Sequence, residues 1–249
     1  MKSRKNIKSV AVIGSGIMGS RIACHMASIG LEVLLLDIAP FSLNAAEEKA
    51  GLALDHPKVK NRIVNDALKA TLKSKPASLY KNDFINRVKM GNLTDDFEKI
   101  STTDWIIEVV VERLDIKKQV FEKVEKYRKA DSIVSSNTSG IPIHMMLEER
   151  SEEFKAHFLG THFFNPPRYL ELLEIIPTPH TNQEIVDFMM DFGDRHLGKT
   201  TVLCKDTPAF IANRVGVAGI LSLFHLVEKR GLSVEAIDKL TGPIIGRPK

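Results

Sequence analysis

His162, Glu174 twelve residues later and Ser139 upstream of both are side chains suited to moving a proton. In Leu170-Glu171-Leu172-Leu173-Glu174-Ile175-Ile176, strand alternation places Glu174 on the same face as Leu172 and Ile176. A carboxylate on an apolar face is costly unless it has a partner. The segment Thr161-His162-Phe163-Phe164-Asn165 runs into Pro166-Pro167, which end a strand and turn the chain back. Two strands joined in this way bring His162 close to Glu174. An acid beside an imidazole orients the ring and steadies the imidazolium once a proton arrives, which suits a general base acting on an alcohol. A lone histidine is more often a satisfied core residue, and His25, His56, His144, His157, His180, His196 and His225 take that reading. Ser139 ends the run Ser135-Ser136-Asn137-Thr138-Ser139. It is either a polar group of the site or a helix N-cap before Ile141.

A base that removes an alcohol proton needs a hydride acceptor beside it, and the N-terminus offers the place for one. The apolar run Val10–Ile13 leads into Gly14-Ser15-Gly16-Ile17-Met18-Gly19, and apolar residues then recur at helical spacing to Ile29. Gly14 permits the tight turn, Gly16 lets backbone approach a pyrophosphate, and Gly19 allows close helix–strand packing. Phosphates would rest on the N–H groups and positive dipole end of the helix, at Ile17 and Met18. The next strand, Glu32–Leu36, ends on Asp37, eighteen residues after Gly19. That context confirms a dinucleotide signature that would be weak alone. Asp37 suits the adenosine ribose hydroxyls and repels a 2′-phosphate, so NAD is expected rather than NADP. Glu112 and Lys117 fall just past a strand beginning at Trp105, at the carboxyl edge where ligands bind such sheets. They are equally compatible with an ordinary exposed pair.

The elements that must position these groups read as α/β. Strands are expected at Trp105–Val110, Ser132–Ser136, Phe158–Phe164 and Leu170–Ile176. A helix capped by Asp115 should run to about Tyr127, and another should lie near Pro142–Leu147. Alternating strands and helices imply a doubly wound, mostly parallel Rossmann-type sheet. Residues 41–73 look helical and form an excursion projecting from the sheet after strand 2. From Lys58 to Lys89 there are nine Lys or Arg against two acids, a solvated helix face unless a phosphate-rich substrate lies there. Ala209–Lys229 reads as one long helix, apolar nearly all round, which must be enclosed on most sides. Ser233 should cap a short helix to about Leu240. The expected division is a dinucleotide-binding domain over 1–206 and the start of an all-α domain over 207–249, apparently truncated.

Bulk properties narrow the class. The chain has 249 residues, 43% apolar and 27% charged, as in ordinary water-soluble domains. A net charge of +4 gives no argument for nucleic acid. Cys24 and Cys204 sit among apolar neighbours, without disulfide or metal-ligand spacing, so a reducing cytoplasm is the default and no metal is expected. Asn213-Arg214 and His225 interrupt the long helix, leaving its apolar part short of the roughly 20 residues a bilayer span needs.

Four segments together resemble the L-3-hydroxyacyl-CoA dehydrogenases of fatty-acid β-oxidation. They are Gly14–Gly19, Ser136-Asn137-Thr138-Ser139, His162-Phe163-Phe164-Asn165-Pro166 and the stretch Cys204–Arg214. The resemblance implies oxidation of a (3S)-3-hydroxyacyl-CoA by NAD. It makes His162 the catalytic base, Glu174 its partner, Ser139 and Asn213 substrate-side polar groups, and Asn165 a neighbour of the nicotinamide. Asn213 also has a plain reading, bonding within its own helix. Glu112 and Lys117 match positions holding the nicotinamide side of NAD. The excursion resembles a helical hairpin over coenzyme A, with Lys69 and Lys73 as candidates for its 3′-phosphate. It is longer here than in compact members. Members usually continue with further helices that dimerise, so a homodimer is expected of the complete protein. The ending Leu240–Lys249 resembles bacterial proteins fused to an enoyl-CoA hydratase. A non-catalytic NAD-binding protein or another hydroxyacid dehydrogenase of this fold are the alternatives; the 6-phosphogluconate type, with a helix lysine as base, fits the His–Glu pair poorly.

Overall fold

Short apolar strands separated by helices build one eight-stranded sheet in the computed structural model, which describes residues 6–242 together with 245 and 246. The strands are β1 (Ser9–Ile13), β2 (Glu32–Asp37), β3 (Val88–Asn92), β4 (Trp105–Glu108), β5 (Ile133–Ser136), β6 (Phe158–Phe163), β7 (Leu172–Pro177) and β8 (Thr200–Leu203). Their spatial order is β3-β2-β1-β4-β5-β6-β7-β8. Strands β1 to β6 run parallel, β7 is antiparallel to β6, and β8 is parallel to β7. This is the Rossmann-type sheet that the alternation implied. Val10, Val12, Leu35, Trp105, Ile107 and Ile133 form the centre of its core with Ile22 and Met26 of α1 (Ile17–Ser28).

Several boundaries differ from the sequence reading, each for a local reason. The excursion is three helices, α2 (Ala45–Lys49), α3 (Pro57–Lys60) and α4 (Arg62–Lys73). Gly51 takes φ 65°, which breaks the first from the second. Asn44 caps α2 in a reciprocal box with Glu47, and His56 accepts from the Lys58 N–H ahead of α3. The excursion also does not project throughout: Val64 and Leu68 of α4 belong to the main core, and α4 packs on α1, β2 and β3. The chain then returns as β3, an edge strand that the sequence reading passed over. The helix α5 (Leu114–Tyr127) starts before Asp115. Asp115 lies in its first turn, where Arg113 holds its carboxylate. The segment near Pro142 is a 3-10 turn, Ile143–Leu147, capped from a distance by Asp206, which accepts from the N–H groups of Ile143 (2.6 Å) and His144 (2.9 Å).

Helix α6 (Glu152–Ala156) precedes β6, and α7 (Gln183–Arg195), whose N-cap is Asn182, precedes β8. One compact unit extends to Pro208, and a second comprises Ala209–Lys249. In the second unit the long helix α8 is Ala212–Arg230, not Ala209–Lys229. Ala209 and Phe210 hold φ values of 63° and 48°, a left-handed backbone that cannot continue a right-handed helix. Ser233 caps α9 (Val234–Thr241) by accepting from the Ala236 N–H. No residue of α8 is buried, so the described residues do not provide the enclosure its composition implies. Among the described residues no helix is long and apolar enough to cross a membrane.

Candidate active site

The carboxyl ends of β1, β4, β5 and β6 lie along one edge of the sheet, because those strands are parallel neighbours. The turn after β1 is built for backbone proximity. Gly14 has φ 104°, and a Cβ there would stand 2.5 Å from the Val109 carbonyl. A Cβ on Gly19 would stand 1.8 Å from the Gly14 carbonyl, whereas one on Gly16 would meet nothing within 4 Å. Two glycines therefore close the turn against β4 and α1, and the third leaves an open approach to the first turn of α1. Gly16 caps that helix without a side-chain hydrogen bond, so the N–H groups of that turn suit phosphate oxygens. Ile17 and Met18 are the first residues of that turn. At the end of β2, Asp37 accepts from the Ser15 N–H (2.6 Å) and hydroxyl (2.5 Å) and from the Ile38 N–H (2.7 Å). The carboxylate is thereby held against the glycine turn, with lone pairs remaining for a ribose. These features fit NAD: a tight turn, an open helix N-terminus and an acid after the second strand.

Beyond β4 the structure gathers Glu112, Lys117 and Ser139 into one network. Lys117 is not an exposed residue: its side chain is 1% accessible and its Nζ lies 2.8 Å from Glu108 and 3.2 Å from Glu112. Glu112 accepts from the Thr138 hydroxyl, the Ser139 N–H (2.9 Å) and the Gly140 N–H (3.2 Å). Partial burial pushes the Glu112 carboxyl up, but the Thr138 hydroxyl, Lys117 and the Ser139 N–H outweigh it and hold the pKa below the ordinary value. Thr138 makes a capping contact to the Ile141 N–H (3.2 Å). Ser139 is left exposed at the tip of the turn after β5.

His162 and Glu174 stand directly opposite each other in the antiparallel β6–β7 pair. The imidazole Nδ1 lies 2.7 Å from Glu174 Oε2, with side-chain accessibilities of 5% and 0%. The imidazole also packs against the Phe164 ring, centroids 4.4 Å apart. An Nδ1–H donated to the carboxylate selects the tautomer whose Nε2 is the basic nitrogen. The end of β6 is pinned by Asn137, whose Oδ1 accepts from the Phe163 N–H at 2.9 Å. Asn165, three residues past His162, accepts from Arg21 of α1 at 2.5 Å. That bond ties the histidine segment to the helix that opens the glycine turn. Lys199 supports the following loop from beneath, donating to the carbonyls of Pro167 and Leu170.

The remaining candidates lie on a helix of the excursion and on a helix of the second unit. Lys69 and Lys73 are exposed one helical turn apart on α4. Nearby basic residues are already engaged, Lys60 with Asp95 and Arg62 with Glu47. Asn213 is the second residue of α8, in the other unit. Sequence reasoning missed Glu108, Asn137 and Arg21. A charged residue inside the apolar run Trp105–Val110 was the available signal for Glu108; nothing local marked Arg21.

Comparison with known proteins gives the family. Residues 9–207 match the 3-hydroxyacyl-CoA dehydrogenase, NAD binding domain family. The chain belongs to the 3-hydroxyacyl-CoA dehydrogenase family. It is 54% identical over 98% of its length to a probable 3-hydroxyacyl-CoA dehydrogenase of Bacillus subtilis, of which the match covers 31%. It is 33% identical over 93% of its length to the human mitochondrial hydroxyacyl-coenzyme A dehydrogenase, covering 70% of that protein. Among solved structures it resembles an (S)-3-hydroxybutyryl-CoA dehydrogenase from Ralstonia eutropha, with a TM-score of 0.74 and 26% identity over 98% of this chain and 79% of that one. The chain thus spans about a third of the length of its Bacillus relative. Within the 3-hydroxyacyl-CoA dehydrogenase family the matched residues are the NAD-binding part, in agreement with the turn and acid described above.

Proposed function

We propose that the complete protein oxidises (3S)-3-hydroxyacyl-CoA to 3-oxoacyl-CoA, as a step of fatty-acid β-oxidation. The observation that carries this reading is the buried His162–Glu174 pair, 2.7 Å apart, on the same sheet that carries the glycine turn after β1. NAD supplies the hydride acceptor. Gly14, Gly16, Ile17, Met18, Gly19 and Asp37 hold its adenosine and pyrophosphate; Glu112, Lys117 and Asn165 serve its nicotinamide side. His162 takes the C3 hydroxyl proton at Nε2, and Glu174 stabilises the imidazolium through Nδ1. Ser139 and Asn213 hold the substrate oxygens, and Lys69 and Lys73 meet the 3′-phosphate of the carrier. Burial of the imidazole keeps the proton from exchanging with bulk water as it moves.

The partner of the helical unit is a second copy of the protein, supported by the exposed apolar residues Val215, Val217, Ile220, Leu221 and Phe224 of α8. A cytoplasmic location is supported by Cys24 and Cys204, both buried and without disulfide spacing in the sequence. The test is to follow NADH formation with 3-hydroxyacyl-CoAs of several chain lengths, using this chain and an extended one. NADH binding without oxidation of any of them by the extended protein would favour a non-catalytic NAD-binding protein instead.

A further inference from the structure

Glu108 takes no part in the reaction proposed above, yet it is wholly buried at the end of a central strand. A buried acid is costly and survives only with good partners. Burial pushes its pKa up, and the Lys117 ammonium, the Ser136 hydroxyl and the Val110 N–H oppose that rise. These donors come from three different elements. Lys117 Nζ on α5 lies 2.8 Å away, Ser136 Oγ at the end of β5 lies 2.5 Å away, and the Val110 N–H past β4 lies 2.7 Å away. The Glu108 main-chain carbonyl also accepts from the Asn137 N–H at 2.8 Å. One residue therefore fixes both the lysine assigned to NAD and the root of the turn that carries Ser139.

Glu112 cannot replace it. Its side chain is 45% accessible, and its Oε1 already accepts from Thr138, Ser139 and Gly140. Only Oε2, 3.2 Å away, faces Lys117. Of the three protons on the Lys117 ammonium, one points to Glu108 and one to Glu112, and the third is the one a ligand can receive. We infer that Glu108 is a positioning residue for NAD, aiming the Lys117 ammonium at the bound cofactor by holding it from the buried side. This rests on the reading of Lys117 as a nicotinamide-side residue. Without Glu108 the ammonium swings toward Glu112 and no longer presents that third N–H.

The experiment is NADH titration by fluorescence, with thermal unfolding in parallel, on the full chain and on Glu108→Gln, Lys117→Met and the double variant. Lys117→Met and Glu108→Gln should each weaken NADH about tenfold, a coupling usual within one network. The double variant should bind no more weakly than Lys117→Met alone. It should also unfold at a higher temperature than Glu108→Gln, because no buried charge is left unpaired. If Lys117→Met weakens NADH while Glu108→Gln does not, or the double variant loses a further tenfold, the inference is wrong and the reading of Lys117 stands. If Lys117→Met itself leaves NADH affinity unchanged, that reading fails and the inference goes with it. Should Glu108→Gln not fold, Glu108→Asp takes its place: a loss of NADH affinity absent in the Lys117→Met background is expected, and unchanged affinity contradicts the inference.

Discussion

Replacing Glu174 by glutamine removes the charge opposite His162 and changes little else in shape. Both side chains are buried, and the Nδ1–Oε2 separation is 2.7 Å, so water neither screens the pair nor replaces the lost partner. A hydrogen bond to a charged group contributes about 1.5–3 kcal/mol net, against about 0.5–1.5 kcal/mol for a neutral one. An amide oxygen can still accept from Nδ1–H in the ground state, so the loss falls mainly on the imidazolium formed in the transition state. The difference is about 1–1.5 kcal/mol, so at about 1.4 kcal/mol per tenfold kcat should fall about 5- to 12-fold. KM and NADH affinity should stay within about threefold, because they report the state with a neutral ring. The assay is initial-rate NADH formation from a 3-hydroxyacyl-CoA by the extended protein, with NADH titration as control. A Glu174→Gln variant with kcat within about threefold of the parent, at equal stability, would refute the claim that this carboxylate stabilises the imidazolium.

Other perturbations test separate parts. Gly19→Ala forces a Cβ to within 1.8 Å of the Gly14 carbonyl, so NADH binding should be lost together with several degrees of thermal midpoint, read by titration and calorimetry. Lys69→Glu with Lys73→Glu should raise KM for the acyl-CoA about fivefold or more while leaving kcat unchanged, and the difference should vanish with a 3′-dephospho carrier. Burial, with smaller effects from nearby Lys199 and Arg168, depresses the pKa of His25 from 6.5 to about 4. The unfolded chain therefore binds the extra proton first, and stability present above pH 6.5 is lost as pH falls toward 4. The effect is on the order of 3 kcal/mol. Urea melts across that range should show the slope, and His25→Gln should flatten it.

Legibility from sequence followed the range of each interaction. The glycine turn with Asp37 was readable because strand, turn, helix and acid are consecutive. The His162–Glu174 pair was readable because two strands joined by a proline turn must lie side by side, and the register puts these residues opposite each other. Strand β3, Val-Lys-Met-Gly-Asn, was missed because its alternation is weak and it carries a lysine and a glycine at the sheet edge. The excursion was read as helical over residues 41–73 without its breaks, because those at Gly51 and Pro57 interrupt an Ala- and Lys-rich composition that favours helix throughout. Glu108 was passed over because its partner arrives from the following helix, nine residues away, and Arg21 because its partner Asn165 is 144 residues distant. The helix α8 was anticipated as a covered element, and whatever covers it lies outside what the described residues show.

The most direct measurement is on His162→Gln in the extended protein, with turnover and NADH affinity determined on the same preparation. NADH binding should stay within about threefold of the parent and turnover should be lower by about 10² to 10⁴. Turnover of a 3-hydroxyacyl-CoA close to that of the parent would contradict this, since the imidazole would then not be the group that takes the proton.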